Sequence, residues 1–375
     1  MSNILILGGG FSGVVAAERL AKKLDAEHQI TLVSRTDRFI FYPALVRLAF
    51  GGAEPADISF DLREAMLDRR VRFVEGEVAH IDPIERKVTI AGSELEGILS
   101  YDYLICALGR RLATDHVPGF FEYSNHLLTV EGAVEFGEAV RQFHTGHAVI
   151  GCCEGSRLPI PAFETVFALA NMLDDRGGRD GARITLVSHE PLADQLGDRE
   201  MAKVMHEALN THKIDFLRDF PISRVSAGAV QTRNNRYLKF DLLMLIPPFE
   251  GTSALRGRGL TDDEGYIFVD SHMRVRSSER MYATGDCVAF SGPKLGHMAV
   301  KQGDVAANNI IAELEGRAPD KEYDHEMMFV IDEGGSDSIY IYKNVWAGNE
   351  ATVRQGRFWG WAKRAHEKYW AAEHS

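Results

Sequence analysis

Apolar residues in this chain form short runs that alternate with amphipathic stretches, and the alternation starts twice. The first start is the run Ile4 to Leu7, a glycine-rich turn, and a helical stretch over Val14 to Leu24, followed by the apolar run Ile30 to Val33. The second is Ala148-Val149-Ile150, a glycine-containing loop, and a helical stretch from Pro161 to Leu173, followed by Ile184 to Val187. Short apolar runs bounded by turn residues fit strands buried on both faces, and strands alternating with helices predict parallel sheets.

Between the two starts, Val71 to Ile81, Lys87 to Ile90 and Tyr101 to Ala107 carry the period of two expected of strands. Strand character returns at Leu242 to Ile246, Tyr266 to Val269 and Arg280 to Thr284, and Met298 to Gly316 predicts a helix. The tail offers two short strands, Met328 to Ile331 and Ile339 to Tyr342, before an aromatic, basic terminus. The expected fold class is α/β, with two tandem Rossmann-type units and a short C-terminal region. Residues 1–110 with 250–318 would form one discontinuous domain, 111–249 the second, and 319–375 the C-terminal region.

Charge narrows the partners. Lys and Arg total 42 against 54 Asp and Glu, a net charge of −12, which argues against nucleic acid. No apolar run approaches the roughly 18 residues of a spanning helix. With a strand beginning at Asn3, no signal peptide is expected. Four cysteines make no disulfide scaffold in a chain of 375 residues, so a reducing, cytoplasmic compartment is the default. No metal site is expected.

Gly8-Gly9-Gly10-Phe11-Ser12-Gly13 matches G-x-G-x-x-G between a strand and a helix. Gly8 would allow the tight turn, Gly10 the approach of a pyrophosphate, and Gly13 close helix–sheet packing. The helix N-terminus, with Phe11 and Ser12, would present free N–H groups to the phosphates. The acidic residue expected about 20 positions on to hold a ribose is missing, because the second strand ends Val33-Ser34-Arg35. Ser34 can still bond a hydroxyl, without charge.

Ala283-Thr284-Gly285-Asp286 resembles the T-G-D element of FAD-dependent pyridine nucleotide-disulfide oxidoreductases, in which the Asp bonds the ribityl chain and the next helix points at the flavin. Tyr103 to Gly109 resembles that family's A-T-G strand end, with Leu108 in the Thr place beside Ala107 and Gly109. The resemblance implies non-covalent FAD, contacted also by Arg35, the Val78-Ala79 segment, Gly285, Lys301 and Gln302. Within the group of sulfide:quinone oxidoreductases, type II NADH dehydrogenases and the flavoprotein of flavocytochrome c sulfide dehydrogenase, four further stretches resemble the sulfide:quinone oxidoreductase branch more closely than the NADH branch. They are Phe41-Tyr42-Pro43-Ala44-Leu45, where Tyr42 and Pro43 would approach the isoalloxazine, Pro161-Ala162-Phe163-Glu164, Pro247 to Gly251 and Pro293 to Met298.

Sulfide oxidation in that branch uses a redox-active cysteine pair. Leu158 stands at one expected cysteine position and the other falls near Phe329, so classical cysteine-based sulfide oxidation is not expected. Cys152 and Cys153 read as small residues in a crowded turn, and Cys106 and Cys287 as packing residues. NAD(P)H at the second unit stays open: Gly151-Cys152-Cys153-Glu154-Gly155 lacks the glycine spacing, whereas Glu190 could hold a ribose.

The resemblance makes Glu164 the leading proton-handling candidate, with a surface carboxylate as the alternative, and gives Lys301 and Gln302 a role at the flavin carbonyls. The terminus from Arg354 onward holds Trp359, Trp361 and Trp370, with Phe358, Trp361, Ala362, Ala365 and Tyr369 at helical spacing on one face. Such a helix would meet a membrane interface or the quinone, or else dock on the protein's own core or on a second copy in a homodimer. The activity expected is that of an FAD-dependent oxidoreductase passing electrons from a small reductant or NAD(P)H to a quinone. The alternatives are an electron-transfer subunit serving a protein partner and a flavin-binding protein without catalysis. The location expected is cytoplasmic, against the inner face of the membrane.

Overall fold

The computed structural model describes residues 1–92, 96–255, 257–334, 337–348 and 350–374. Both expected units are present as separate parallel sheets. The first has five strands in the order Met281–Ala283, Tyr103–Cys106, Asn3–Leu7, Gln29–Ser34, Arg72–Glu75. Asn3–Leu7 therefore lies at the centre, and a strand almost 280 residues later completes the sheet. The second has four strands in the order Asp215–Leu217, Ala182–Val187, Gly146–Cys152, Leu242–Ile246. Ile4 to Leu7 and Ala148 to Ile150 are almost wholly buried, as strands covered on both faces must be.

The helices sit where the apolar period placed them, at Phe11–Lys23, Ile160–Asp175 and Gly296–Leu314. Phe11–Lys23 and Gly296–Leu314 pack closely because Gly303 lies on the backbone of Ser12, where a Cβ would collide. Strand boundaries shift. Val71 to Ile81 is two strands broken at Gly76, and the second, Glu77–Asp82, pairs in an antiparallel sheet with Lys87–Ala91, whose other neighbour is Gly97–Ser100. Tyr266 to Val269 forms only isolated bridges, since Ile267 pairs singly with Thr261 and with Val288.

The C-terminal region is an antiparallel sheet, Glu326–Asp332, Ser338–Asn344 and Thr352–Gln355, followed by the helix Arg357–His374. The third strand, with Arg354 and Gln355, has no apolar alternation and gave no signal in the sequence. No helix among the described residues is long and apolar enough to cross a membrane.

Candidate active site

At the mouth of the first sheet the glycine loop has the geometry its spacing implies. Gly8 is left-handed at φ +114° and donates its N–H to the Val33 carbonyl at 2.7 Å. A Cβ at Gly8 would strike the Ala107 carbonyl, and one at Gly13 would strike the carbonyl of Gly8. A Cβ at Gly10 would meet nothing within 4 Å. The loop is thus tightly built on its inner side and open at the residue where a pyrophosphate would approach. The first amides of the helix, which have no partner within it, face this side.

Ser34 is buried against Gly9, while Arg35, Tyr42, Pro43 and Ala79 are exposed. Ala79 is the extra residue of a β-bulge between Val78 and His80. Leu108 and Gly109 carry the chain out of its strand, and Arg110 next to them pairs with the carboxylate of Asp286 and lies over the ring of Phe249. Gly285 donates its N–H to Gln302 Oε1 at 2.7 Å, tying the T-G-D turn to the following helix. The hydroxyl of Thr284 is buried without a partner. A narrow cleft opens here, lined by Asp286, Lys294, Met298, Ala299, Gln302 and His325 among others. A recessed glycine loop, unpaired amides, an unpartnered buried hydroxyl and this cleft fit a dinucleotide flavin held along one edge of the sheet.

Lys294 was not singled out as a site residue in the sequence. It is buried, and its ammonium donates to the carbonyls of Val288 at 2.5 Å and Phe290 at 3.3 Å. Burial lowers its pKa to about 8.

Lys301 has a partner that the sequence did not point to. Its ammonium is held 2.5 Å from Glu326, which also takes a contact from His297 at 3.2 Å, and Lys301 is not among the residues lining the cleft. Glu326 begins, and Asp332 ends, a seven-residue strand about 20 Å long. Lys301 at one end is therefore well separated from Glu164 at the other.

Glu164 is not a surface carboxylate. It lies on the buried face of Ile160–Asp175, only 5% exposed, and accepts the N–H of Asp332 at 3.0 Å and the ammonium of Lys363. Burial pushes its carboxyl above the usual range, and Lys363 opposes this only in part. Burial alone would depress Lys363, but the carboxylate of Glu164 more than reverses that, so it keeps its proton. Nothing in the sequence linked these two residues, which stand 199 positions apart.

Cys152 and Cys153 are chemically quiet. Cys152 and Cys153 are fully buried; burial pushes the Cys152 thiol up to about 12 and that of Cys153 higher still. Neither supplies thiolate near neutral pH. At the second unit, Pro159 and Pro161 flank the first helical residue, and the Ala162 N–H is already bonded to Pro159. The loop is drawn toward the first unit, where Arg157 accepts the Lys294 N–H at 2.8 Å. Glu190 stands 3.6 Å from His189.

The terminal helix has two faces. Gly360, Lys363, Glu367, Trp370 and His374 turn inward. Glu367 pairs with Arg47 at 2.7 Å and His374 with Glu18 at 2.6 Å. Phe358, Trp361 and Tyr369 turn outward, each 61% exposed.

Sequence and structure comparisons agree with this geometry. Residues 2–303 match the family model described as pyridine nucleotide-disulphide oxidoreductase. Over 98% of this chain and 90% of the relative, the sequence is 24% identical to a sulfide-quinone reductase of Aquifex aeolicus. A type II NADH:quinone oxidoreductase of Staphylococcus aureus is 23% identical over 85% of this chain and 84% of its own length. The crystal structure of the Aquifex aeolicus sulfide:quinone oxidoreductase superposes with a TM-score of 0.90 at 23% identity, covering 98% of this chain and 90% of that one. With its two parallel sheets, its glycine loop and its T-G-D turn, the chain belongs to the pyridine nucleotide-disulphide oxidoreductase family, and it is an FAD-dependent oxidoreductase.

Proposed function

We propose that this protein passes two electrons from a small reductant through FAD to a quinone, and that the quinone is reduced beside Glu164 and Lys363. The observation that carries the reading is the buried pair itself. A quinone taking two electrons must also take two protons, and a carboxyl raised by burial next to an ammonium is suited to deliver one of them in a site closed to water. Relatives named for quinone reduction fit this acceptor.

FAD, when bound, supplies the two-electron chemistry. Gly8, Gly10, Gly13, Ser34, Thr284, Asp286 and Gln302 are the residues suited to hold it. Lys294 keeps a buried cation at the cleft, where negative charge on a reduced cofactor would be stabilised. The outward aromatic face of the terminal helix suits a membrane interface, from which a long-chain quinone would be drawn. The loop of the second unit lacks the G-x-G-x-x-G spacing, which favours a donor that meets the cofactor directly over a dinucleotide docked there.

Anaerobic stopped-flow mixing with sulfide, NADH and NADPH in parallel, followed by a long-chain quinone, tests the proposal. The expected result is that the reduced protein is reoxidised rapidly by the quinone and that NADH and NADPH bleach the flavin slowly. A chemically reduced protein that no quinone reoxidises would defeat the reading.

A further inference from the structure

Trp370 sits where the terminal helix meets the glycine loop. It is 5% exposed, with its ring centroid 5.1 Å from Phe11, 6.2 Å from Phe39 and 6.5 Å from Phe41. Phe11 is the first helical residue after Gly10, and Phe41 immediately precedes Tyr42 and Pro43. One indole thus touches both segments that border the cofactor site. The His374 ring lies tilted against it, with centroids 3.8 Å apart.

The helix is fixed in this position rather than resting there. Glu367 holds Arg47, His374 holds Glu18 of the helix Phe11–Lys23, and Arg69 bridges Glu18 at 3.0 Å and the Glu373 carbonyl at 2.9 Å. In spite of this dense polar fastening, the Trp370 indole N–H is buried with no partner. A buried donor left unmade is costly, so tryptophan N–H groups in such places ordinarily find an acceptor. A phenylalanine would fill the same aromatic cluster without that cost.

We propose that Trp370 is a cofactor-site residue: the C-terminal helix closes the FAD site by seating its indole on the glycine loop, with the N–H donated to an oxygen of the dinucleotide's phosphate–ribose segment. The inference rests on FAD lying along Gly8 to Gly13. It makes the C-terminus part of the flavin site as well as the bearer of an outward aromatic face. Anything that lifts the helix would then loosen the cofactor.

The experiment is FAD titration into apoprotein prepared from the full chain, comparing wild type, Trp370→Phe, Trp361→Phe and Gly10→Leu. Loss of one hydrogen bond should weaken FAD binding in Trp370→Phe about five- to tenfold. Trp361→Phe should bind as wild type does. Equal affinity in Trp370→Phe and wild type overturns the proposal, whereas undiminished binding in Gly10→Leu overturns the placement of FAD on which it rests. If Trp370→Phe does not fold, indole ¹H–¹⁵N correlations of the wild-type protein decide. The chain has four tryptophans, so the Trp370 signal is assigned by difference from Phe variants of the other three. It should shift on FAD addition and exchange more slowly; an unmoved signal overturns the proposal.

Discussion

Lys363, on the last helix, buries its ammonium against the carboxylate of Glu164, on the first helix of the second unit. Each group alone would be costly at that depth, and together they fix the angle at which the terminal helix crosses the molecule. Removing only one partner strands the other. Lys363→Met should therefore lower stability by about 3 kcal/mol, and Glu164→Gln combined with Lys363→Met should recover much of the loss. Urea denaturation of the three proteins checks this; equal stability of Lys363→Met and wild type would mean that the pair is solvated.

The same pair sets a pH dependence. Burial raises the Glu164 carboxyl, so in the fold it holds its proton to higher pH than an exposed glutamate does. If it donates that proton to the quinone, reoxidation of the reduced protein slows as pH rises through its raised pKa. A group raised above its unfolded value contributes stability below the unfolded pKa and loses it on the way up, so the folded state should also weaken over the same window. Glu164→Gln should abolish the limb and slow reoxidation about 100-fold, within the usual range for a general acid. Bleaching by the donor should be unchanged. An identical pH profile in the variant would remove Glu164 from the proton path.

Gly10→Leu separates folding from binding. Gly10 has φ −84°, which any residue adopts, and a Cβ there meets nothing. The variant should fold with the wild-type circular dichroism yet purify colourless, because its side chain fills the space the pyrophosphate needs. A yellow Gly10→Leu protein would place the cofactor elsewhere.

How much of this was legible in the sequence follows the range of the interactions. Gly8 to Gly13, legible from its spacing, and Thr284 to Asp286, legible from a resemblance, act through local backbone geometry, and the structure builds each as a tight turn. The ion pair of Lys301 with Glu326 was not legible, because a resemblance along the chain does not say which way each residue of a helix turns. The partnership of Glu164 with Lys363, and of Trp370 with Phe11, joins segments hundreds of positions apart. The terminal helix was expected to present an aromatic face to a membrane or to dock on the core. It docks by a second, more polar face whose Lys363, Glu367 and His374 carried no apolar signal.

Cys152→Ser with Cys153→Ser should leave activity with any donor nearly unchanged. Both thiols are sealed in the core and lifted far from the thiolate form. Steady-state turnover of the double variant checks this. Sulfide-dependent bleaching that vanishes with the two serines would give the pair a chemical role.

The two faces of the terminal helix permit a cleaner membrane test than truncation, which would remove Lys363 and Trp370 as well. Phe358, Trp361 and Tyr369 are all exposed and turn away from the core, so replacing all three by Ser should leave FAD content and melting temperature close to wild type. What should fall is binding to anionic liposomes, because aromatic rings favour the headgroup region. Turnover with a long-chain quinone should fall with it, and turnover with a short water-soluble quinone should not. Lys368 and Arg357 lie exposed on the same helix, and each basic group near an anionic surface is worth about 1 kcal/mol, so residual binding should weaken further as salt is raised. Wild-type liposome binding in the triple variant, measured by flotation, would show that this face meets something other than lipid.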